Sequence, residues 1–412
     1  MPDGATVTID RLGHLGDGIG AGPDGAPVFA PRTLPGEVVA GDVEGGRIAR
    51  PRILTPSPDR IRADCPHYVR CGGCSLMHAR DGFVADWKRH VVLSALAGRG
   101  IEAEVRSPLT SPLRSRRRAT LAGRRLKGGP VVGFHTPSGT DVVPVPDCRV
   151  LRPEIVAGLP AFAALTDLAG SRKGEVRFAV TVADAGLDVA LTGGKALDRG
   201  LSVEAAALAG AHGIARLTWD GEPVAQAAPP AVALGRARVV PPPGAFLQAT
   251  AEGEAALCDA VRATVGNAAR VLDLFAGCGT FALPLAERAE VHAVEADRAM
   301  TDALLAGWKT ANGLRRVTAE TRDLFRRPLD ADDLKGFDAA VIDPPRAGAE
   351  AQATALAQGG PDRVAMVSCN PVTFARDAAL LIGGGYGIGP VTVVDQFRWS
   401  PHIELAASFT RS

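Results

Sequence analysis

The sequence predicts an α/β protein in three parts: a small β-barrel over residues 1–56, a mixed α+β region over 57–240, and a parallel sheet covered by helices over 241–412. Two textures lead to this. From residue 241 onward, short apolar runs ("ARVLDLF", "EVHAVEA", "FDAAVID", "RVAMVSC" and "PVTVVDQF") alternate with helical stretches, the mark of a parallel sheet with helices on both faces. At the other end, "ATVTID", "VFAP" and "LPGEVVAGDV" are short β segments separated by glycine- and proline-rich turns, which suits a compact barrel. Residues 101–240 between them are rich in β-type signals, and their topology is not readable from the sequence.

At 412 residues the chain has material for several cores. The net charge of +1 excludes a globally basic nucleic-acid binder but not a local basic patch. "MPDGATVTID" lacks the apolar core of a signal peptide, and no run is long enough to span a bilayer. A cytoplasmic protein without membrane contact is therefore expected, and a monomer. Thiols stay reduced there, so the seven cysteines need a role other than disulfides.

In chain order, "RILTPSPDRIRADCP" follows the barrel and reads as a linker, with prolines at 56, 58 and 66. "CPHYVRCGGCSLMH" then places Cys65, Cys71 and Cys74 in a C-x5-C-x2-C pattern whose glycines let several thiolates face one centre. Cys148 in "VPVPDCRVL" is the best fourth ligand, because Cys258 and Cys278 lie in a helical and a glycine-turn context. On spacing alone, a four-thiolate zinc site and an iron–sulfur cluster both remain open, and His67 or His78 could replace one thiolate on zinc. A helix is expected from about Asp81 to Leu96, with Val84, Trp87, Val91 and Leu96 on its apolar face. "RSRRRATLAGRRLK" (114–127) carries seven basic residues and no acid; as a strand pair it would present cations to phosphates.

"VLDLFAGCGTFALPLA" (271–286) reads as a buried strand, a turn with Gly277 and Gly279, and a helix. Such glycines let a nucleotide-like ligand approach the backbone, and Glu295 ends the next strand where an acid can accept from ribose hydroxyls. Gly277, Gly279 and Ala282 also satisfy G-x-G-x-x-A, so an NAD-dependent oxidoreductase is the alternative. Asp273, an acid ahead of the glycines, favours S-adenosylmethionine, which carries positive charge and no pyrophosphate. "VIDPPRAG" (341–348) ends a strand on Asp343 and a proline-fixed turn. Arg346 stands where enzymes that methylate exocyclic amines usually have an aromatic residue. "MVSCNP" (366–371) places Cys369 at the carboxyl end of another strand, where parallel sheets bind ligands. That company favours a nucleophile over a small core residue.

"PPPGAFLQAT", "LDLFAGCGTFALPLA", "DPPRAG", "MVSCNPVTFARD" and "FRWSPHIE", in this order and spacing, resemble the RNA 5-methyluridine (uracil-C5) methyltransferase family. The resemblance implies a class I (Rossmann-like) methyltransferase domain that uses S-adenosyl-L-methionine. It implies Cys369 as nucleophile and Glu404 as base. Gln248, Phe275, Glu295 and Asp343 would line the cofactor site, with Gly277 and Gly279 allowing close approach. It implies a 4Fe–4S cluster on Cys65, Cys71, Cys74 and Cys148, and an N-terminal OB-fold/TRAM-like RNA-binding barrel. Members with both features point to 23S ribosomal RNA, with transfer RNA as the alternative substrate. The chain departs from the family pattern at Arg398 (usually proline), Ser400 (threonine) and Thr250 (asparagine), none of them the nucleophile or the base. The barrel's basic strand is weak, with three arginines and no lysine in "VEGGRIARPRI". A thiol has a use in this chemistry, since carbon 5 of uracil becomes nucleophilic once a thiolate adds to carbon 6.

Two further rivals are a non-catalytic RNA-binding iron–sulfur protein and a radical S-adenosylmethionine enzyme. The latter's cluster motif separates its first two cysteines by three residues, against five here, and it has no need of a separate glycine-turn site.

Overall fold

The computed structural model describes residues 4–137 and 139–411. Five antiparallel strands lead the chain: Ala5–Leu12, Gly18–Ala21, Pro27–Ala30, Val38–Gly41 and Arg52–Thr55, in the spatial order third, second, first, fourth, fifth. The alternation of "ATVTID" turns Val7 and Ile9 inward, onto Val28, Ala30, Val39 and Ile48. The main-chain bonds Phe29 N to Gly46 O (2.9 Å) and Ile48 N to Phe29 O (2.9 Å) bring residues 46–48 back beside the third strand. Arg52–Thr55, read from sequence as linker, is the fifth strand. It pairs with Val38–Ala40 on one edge and is mostly exposed, so it carries no apolar alternation to announce it.

The next segment is anchored. Arg60 donates to both oxygens of the buried Glu37, from Nε at 2.5 Å and from Nη2 at 2.8 Å. The helix Asp81–Ala97 forms as expected but buries Val84, Trp87, Lys88, Val92 and Leu96, with Val91 only partly covered. Beyond it, Ile101 and Val105 enter the same core as Leu405 and Phe409, and Leu109–Thr110 adds a short parallel strand beside Thr392–Asp395. This part of the middle region therefore packs with the C-terminal sheet.

The rest of the middle region is a seven-stranded sheet, ordered Glu222–Gln226, Ile214–Trp219, Gly186–Thr192, Val176–Ala183, Arg118–Leu126, Gly129–His135 and Val142–Pro144. The helices Leu159–Ala169 and Arg199–Ala211 pack on it around Phe162, Phe178 and Trp219. The basic stretch 114–127 is not a strand pair of its own. Arg118–Leu126 is one strand, and its hairpin partner is Gly129–His135. Most of its cations are engaged within the protein: Arg117 with Glu254 (2.5 Å), Arg124 with Glu175 (2.9 Å) and Arg125 with Asp167 (2.8 Å). Arg118 donates to Ala245 O at 3.0 Å. Arg117 also donates from Nε to Gln248 O at 3.2 Å, fastening this sheet to the segment that leads into the C-terminal one.

In the C-terminal sheet five parallel strands run in the order Val317–Thr321, Glu290–Glu295, Arg270–Leu274, Ala339–Ile342, Arg363–Ser368. The order reverses between Arg270–Leu274 and Ala339–Ile342, which opens a crevice at their carboxyl ends. Glu404–Thr410 runs antiparallel to Arg363–Ser368, and Thr392–Asp395 antiparallel to Glu404–Thr410. The sequence did not announce "VTAET" or "ELAASFT", which lack a run of large apolar residues. The helix expected after the glycine turn is a single turn, Ala282–Leu285. Among the described residues no helix is long and apolar enough to cross a membrane.

Candidate active site

The glycine turn leaves the strand Arg270–Leu274 through Phe275, whose φ of 62° is unusual for a bulky residue. Gly277 follows with φ 56°, a conformation that favours glycine, and a Cβ there would make only an ordinary contact with Met300 Cε at 3.7 Å. Gly279 differs. A Cβ there would meet Leu283 Cδ1 at 2.8 Å and Leu304 Cγ at 3.0 Å, so its smallness serves internal packing. Glu295 Oε2 accepts from Gly277 N at 2.9 Å and its Oε1 from Asp297 N at 3.0 Å. The acid thus braces the turn at the end of the neighbouring strand.

Asp273 is fully buried, and neither of its carboxylate oxygens has a hydrogen-bond partner. Burial, then the charges of Asp343 and Glu295, hold its carboxyl well above the usual carboxylate range. Asp343 closes the next strand, where burial pushes it up to about 7. Glu404 is 3% exposed and is raised to about 8 by burial and by Asp343. A set of carboxylates this crowded favours a ligand that brings positive charge.

Cys369 is half-buried between the strand Arg363–Ser368 and the helix Pro371–Gly383. The turn behind it is explained by Asn370, which caps that helix by accepting from Val372 N at 3.1 Å. The same side chain donates to Arg346 O at 3.0 Å, tying the cysteine loop to the Asp343–Gly348 loop. Ser368 pairs with Leu405 across the sheet, so Cys369 and Glu404 flank the last paired residues of the two strands. Burial, Glu404 and Asp343 push the Cys369 thiol up to about 11, with Arg346 acting against them.

Gln248 is buried, and its Oε1 accepts from Gln396 Nε2 at 2.5 Å. Gln396 Oε1 in turn accepts from Ala249 N at 2.7 Å, and its amide bears on the Glu404 carboxyl, opposing the upward shift. Sequence reasoning missed Gln396, whose amide type carries no motif signal. It also gave no role to two exposed rings, one of them inside the "PPPGAFLQAT" stretch. Phe246, 56% exposed and two residues before Gln248, lies under the Arg118 guanidinium at 5.3 Å. Phe325 sits 5.5 Å from Phe275, centroid to centroid. Exposed aromatic faces beside a crevice are what a stacked base requires, and that exposure is a tertiary property. Thr250 does the capping work of an asparagine, accepting from Gly253 N at 3.0 Å.

Cys65, Cys71, Cys74 and Cys148 line one cavity, together with His67 and Arg116. Burial and the other three cysteines raise the Cys74 thiol to about 12. Yet among the described residues no three His, Cys, Asp or Glu side chains come together as a site for a single ion. Four thiols around one cavity are a donor set that zinc and an iron–sulfur cluster both accept. His78 does not face this cavity: its Nδ1 is paired with Tyr68 Oη at 2.6 Å.

The profile of the tRNA (uracil-5-)-methyltransferase family matches residues 241–412. An uncharacterized RNA methyltransferase of Rhizobium meliloti is 43% identical over 98% of this chain and 99% of its own length. A 23S rRNA (uracil(1939)-C(5))-methyltransferase of Alkalilimnicola ehrlichii is 34% identical over 98% of this chain and 96% of its own. The fold resembles that of the Pyrococcus abyssi tRNA (uracil-54, C5)-methyltransferase, solved with S-adenosyl-L-homocysteine, with a TM-score of 0.75, 20% identity and 99% of each chain covered.

Proposed function

Because this chain belongs to the RNA (uracil-5-)-methyltransferase family, we propose that it methylates carbon 5 of one uridine in 23S ribosomal RNA through a covalent adduct on Cys369. It is an S-adenosylmethionine-dependent RNA methyltransferase. The observation that carries the finer reading is that Cys369 and Glu404 stand just past the last paired residues of two neighbouring strands, at the carboxyl end of the sheet, where the charges of Glu404 and Asp343 both bear on the thiol.

S-adenosylmethionine supplies an electrophilic methyl group when bound. Gln248, Phe275, Glu295 and Asp343 would hold and orient it, with Gly277 leaving the approach free and Gly279 packing the turn. The Cys369 thiolate adds to carbon 6 of uracil, and the ring's double-bond electrons move toward oxygen 4. Carbon 5 then takes the methyl group as the sulfur–methyl bond breaks. Glu404 removes the proton from carbon 5, the ring double bond re-forms, and the carbon–sulfur bond breaks to return Cys369. A buried uracil must leave its stack to reach this crevice, and Phe246 offers it a face.

The three-part division remains the functional one in this reading. Residues 1–56 form the OB-fold/TRAM-like RNA-binding barrel. Residues 57–240 carry the four cysteines, which would hold a 4Fe–4S cluster as a structural cross-link with no redox step in the reaction. Residues 241–412 carry the chemistry, and the protein works as a monomer in the cytoplasm, where its RNA is. Transfer RNA is the second reading, favoured by the fold of the Pyrococcus abyssi neighbour.

Tritium release from RNA labelled at carbon 5 of uracil tests the proposal. Release should require S-adenosylmethionine and Cys369, and should come from 23S fragments in preference to transfer RNA. Release from transfer RNA alone would move the substrate to the second reading. Release by Cys369→Ala would remove the covalent step.

A further inference from the structure

The loop between the strands Thr392–Asp395 and Glu404–Thr410 touches two sites at once. At one end stands Gln396, bonded to Gln248 and facing Glu404. At the other stands Trp399, whose carbonyl accepts from Ser75 N (2.8 Å) and Leu76 N (2.9 Å), the two residues that follow Cys74. The Trp399 ring packs with Tyr68 and Met77 in a cluster flanked by Cys65 and Cys74, and its Nε1 donates to Asp81 Oδ1 at 3.1 Å. Between them Phe397 lies under the Arg116 guanidinium at 5.6 Å, and Arg116 also lines the four-thiol cavity. Trp399 has φ 61°, a conformation that a bulky residue keeps only where its surroundings over-determine it.

We propose that Trp399 is a positioning residue through which the four-thiol pocket holds the Gln396–Glu404 pair in place. The ordered cysteine loop grips the Trp399 carbonyl and indole and keeps the backbone there in its left-handed state. Gln396, three residues earlier, is thereby held between Gln248 and Glu404. When the pocket loses its order, Trp399 relaxes, Gln396 shifts, and the base loses its aim at carbon 5. Cys369, on a different strand, keeps its place. The damage therefore falls on the last step of the reaction and spares methyl transfer. This inference rests on the proposed roles of Cys369, Glu404 and the cysteine pocket, and it assigns Trp399, Arg116 and Phe397 a part that motif reading does not.

The test uses the full chain purified without oxygen, the labelled RNA, and the variants Trp399→Gly and Trp399→Phe. Glycine suits the positive φ, so that variant loses the indole without added strain. In single turnover, methyl transfer by Trp399→Gly should stay within about threefold of the parent, while tritium release slows by about 10²-fold, the cost of an ångström-scale misplacement. The methylated protein–RNA adduct should accumulate. Trp399→Phe, which keeps the packing, should restore release. Hydrogen exchange over 396–402 should rise in Trp399→Gly and equally in parent protein stripped of its pocket metal. The idea fails if both steps fall together, if neither moves, or if exchange is unchanged in both proteins. Those failures are distinct from failure of the functional reading, which would appear as parent enzyme that releases no tritium. Parent protein purified without iron would remove the cluster, and the split between the two steps in Trp399→Gly would still decide the positioning role.

Discussion

Cys369 and Glu404 rest in the wrong protonation states for the tasks proposed for them. With its thiol near 11 and Glu404 near 8, the enzyme without cofactor holds a neutral thiol beside a largely neutral acid at pH 7. A nucleophile kept protonated until a positively charged donor and the base arrive is protected from stray alkylation. The sign of the coupling can be checked. Ionised Glu404 disfavours the thiolate, so Glu404→Gln should lower the Cys369 pKa, but only above pH 8, where Glu404 is charged. Alkylation of Cys369 by iodoacetamide should therefore be faster in Glu404→Gln at pH 9 and nearly unchanged at pH 6.5. An identical rate at pH 9 would mean the two groups do not interact. In turnover the same variant should accumulate methylated adduct, visible as a protein–RNA band that denaturing gels do not dissociate.

At the scale of elements, the helix Asp81–Ala97 does more than cover the sheet. Lys88 on its inner face is fully buried, and its Nζ meets Asp395 Oδ1 (2.5 Å), Phe397 O (3.3 Å) and His402 O (3.2 Å). One ammonium thus gathers both ends of the loop that carries Gln396 and Trp399. Lys88→Met leaves the Asp395 carboxylate buried without its counter-ion and should cost about 3–5 kcal/mol, read as a lower urea midpoint. Lys88→Met with Asp395→Asn should recover most of that loss, since a neutral pair needs no counter-charge. If Lys88→Met alone leaves the midpoint unmoved, the pair is not a structural bolt. The apolar spacing of this helix named Val84, Trp87, Val91 and Leu96, and the structure buries Lys88 and Val92 as well while half-covering Val91. Apolar periodicity has no way to announce a lysine whose partners come from a loop 300 residues later.

For the whole molecule, the middle and C-terminal parts distinguished along the chain share a core. Val92, Leu96, Ile101 and Val105 pack on one face of the C-terminal sheet, and Val232, Leu234, Ala237 and Val239 on the other. Fully burying such side chains contributes about 1.5–3 kcal/mol each, so the C-terminal part loses cover on both faces when severed. Residues 241–412 expressed alone should show no cooperative thermal unfolding and no calorimetric binding of S-adenosylhomocysteine. A sharp transition in that fragment would show that the shared core is dispensable. The Arg117–Glu254 pair adds orientation more than stability, since burial keeps Glu254 above its usual range even beside the arginine.

What the sequence determined by itself was whatever follows from local chemistry: the parallel-sheet alternation, the glycine turn, the cysteine spacing, and a cysteine at a strand end. These are set within a dozen residues of each other, and the physics that selects them is local. Tertiary structure alone decided the rest. Gln396, Phe246 and Trp399 stand out through neighbours brought from elsewhere in the chain, and Arg117, Arg118 and Arg124 meet carboxylates and carbonyls from distant segments while Arg114, Arg125 and Lys127 stay exposed. Burial and charge pairing between remote segments are properties of the folded assembly, so no stretch of sequence carries them alone.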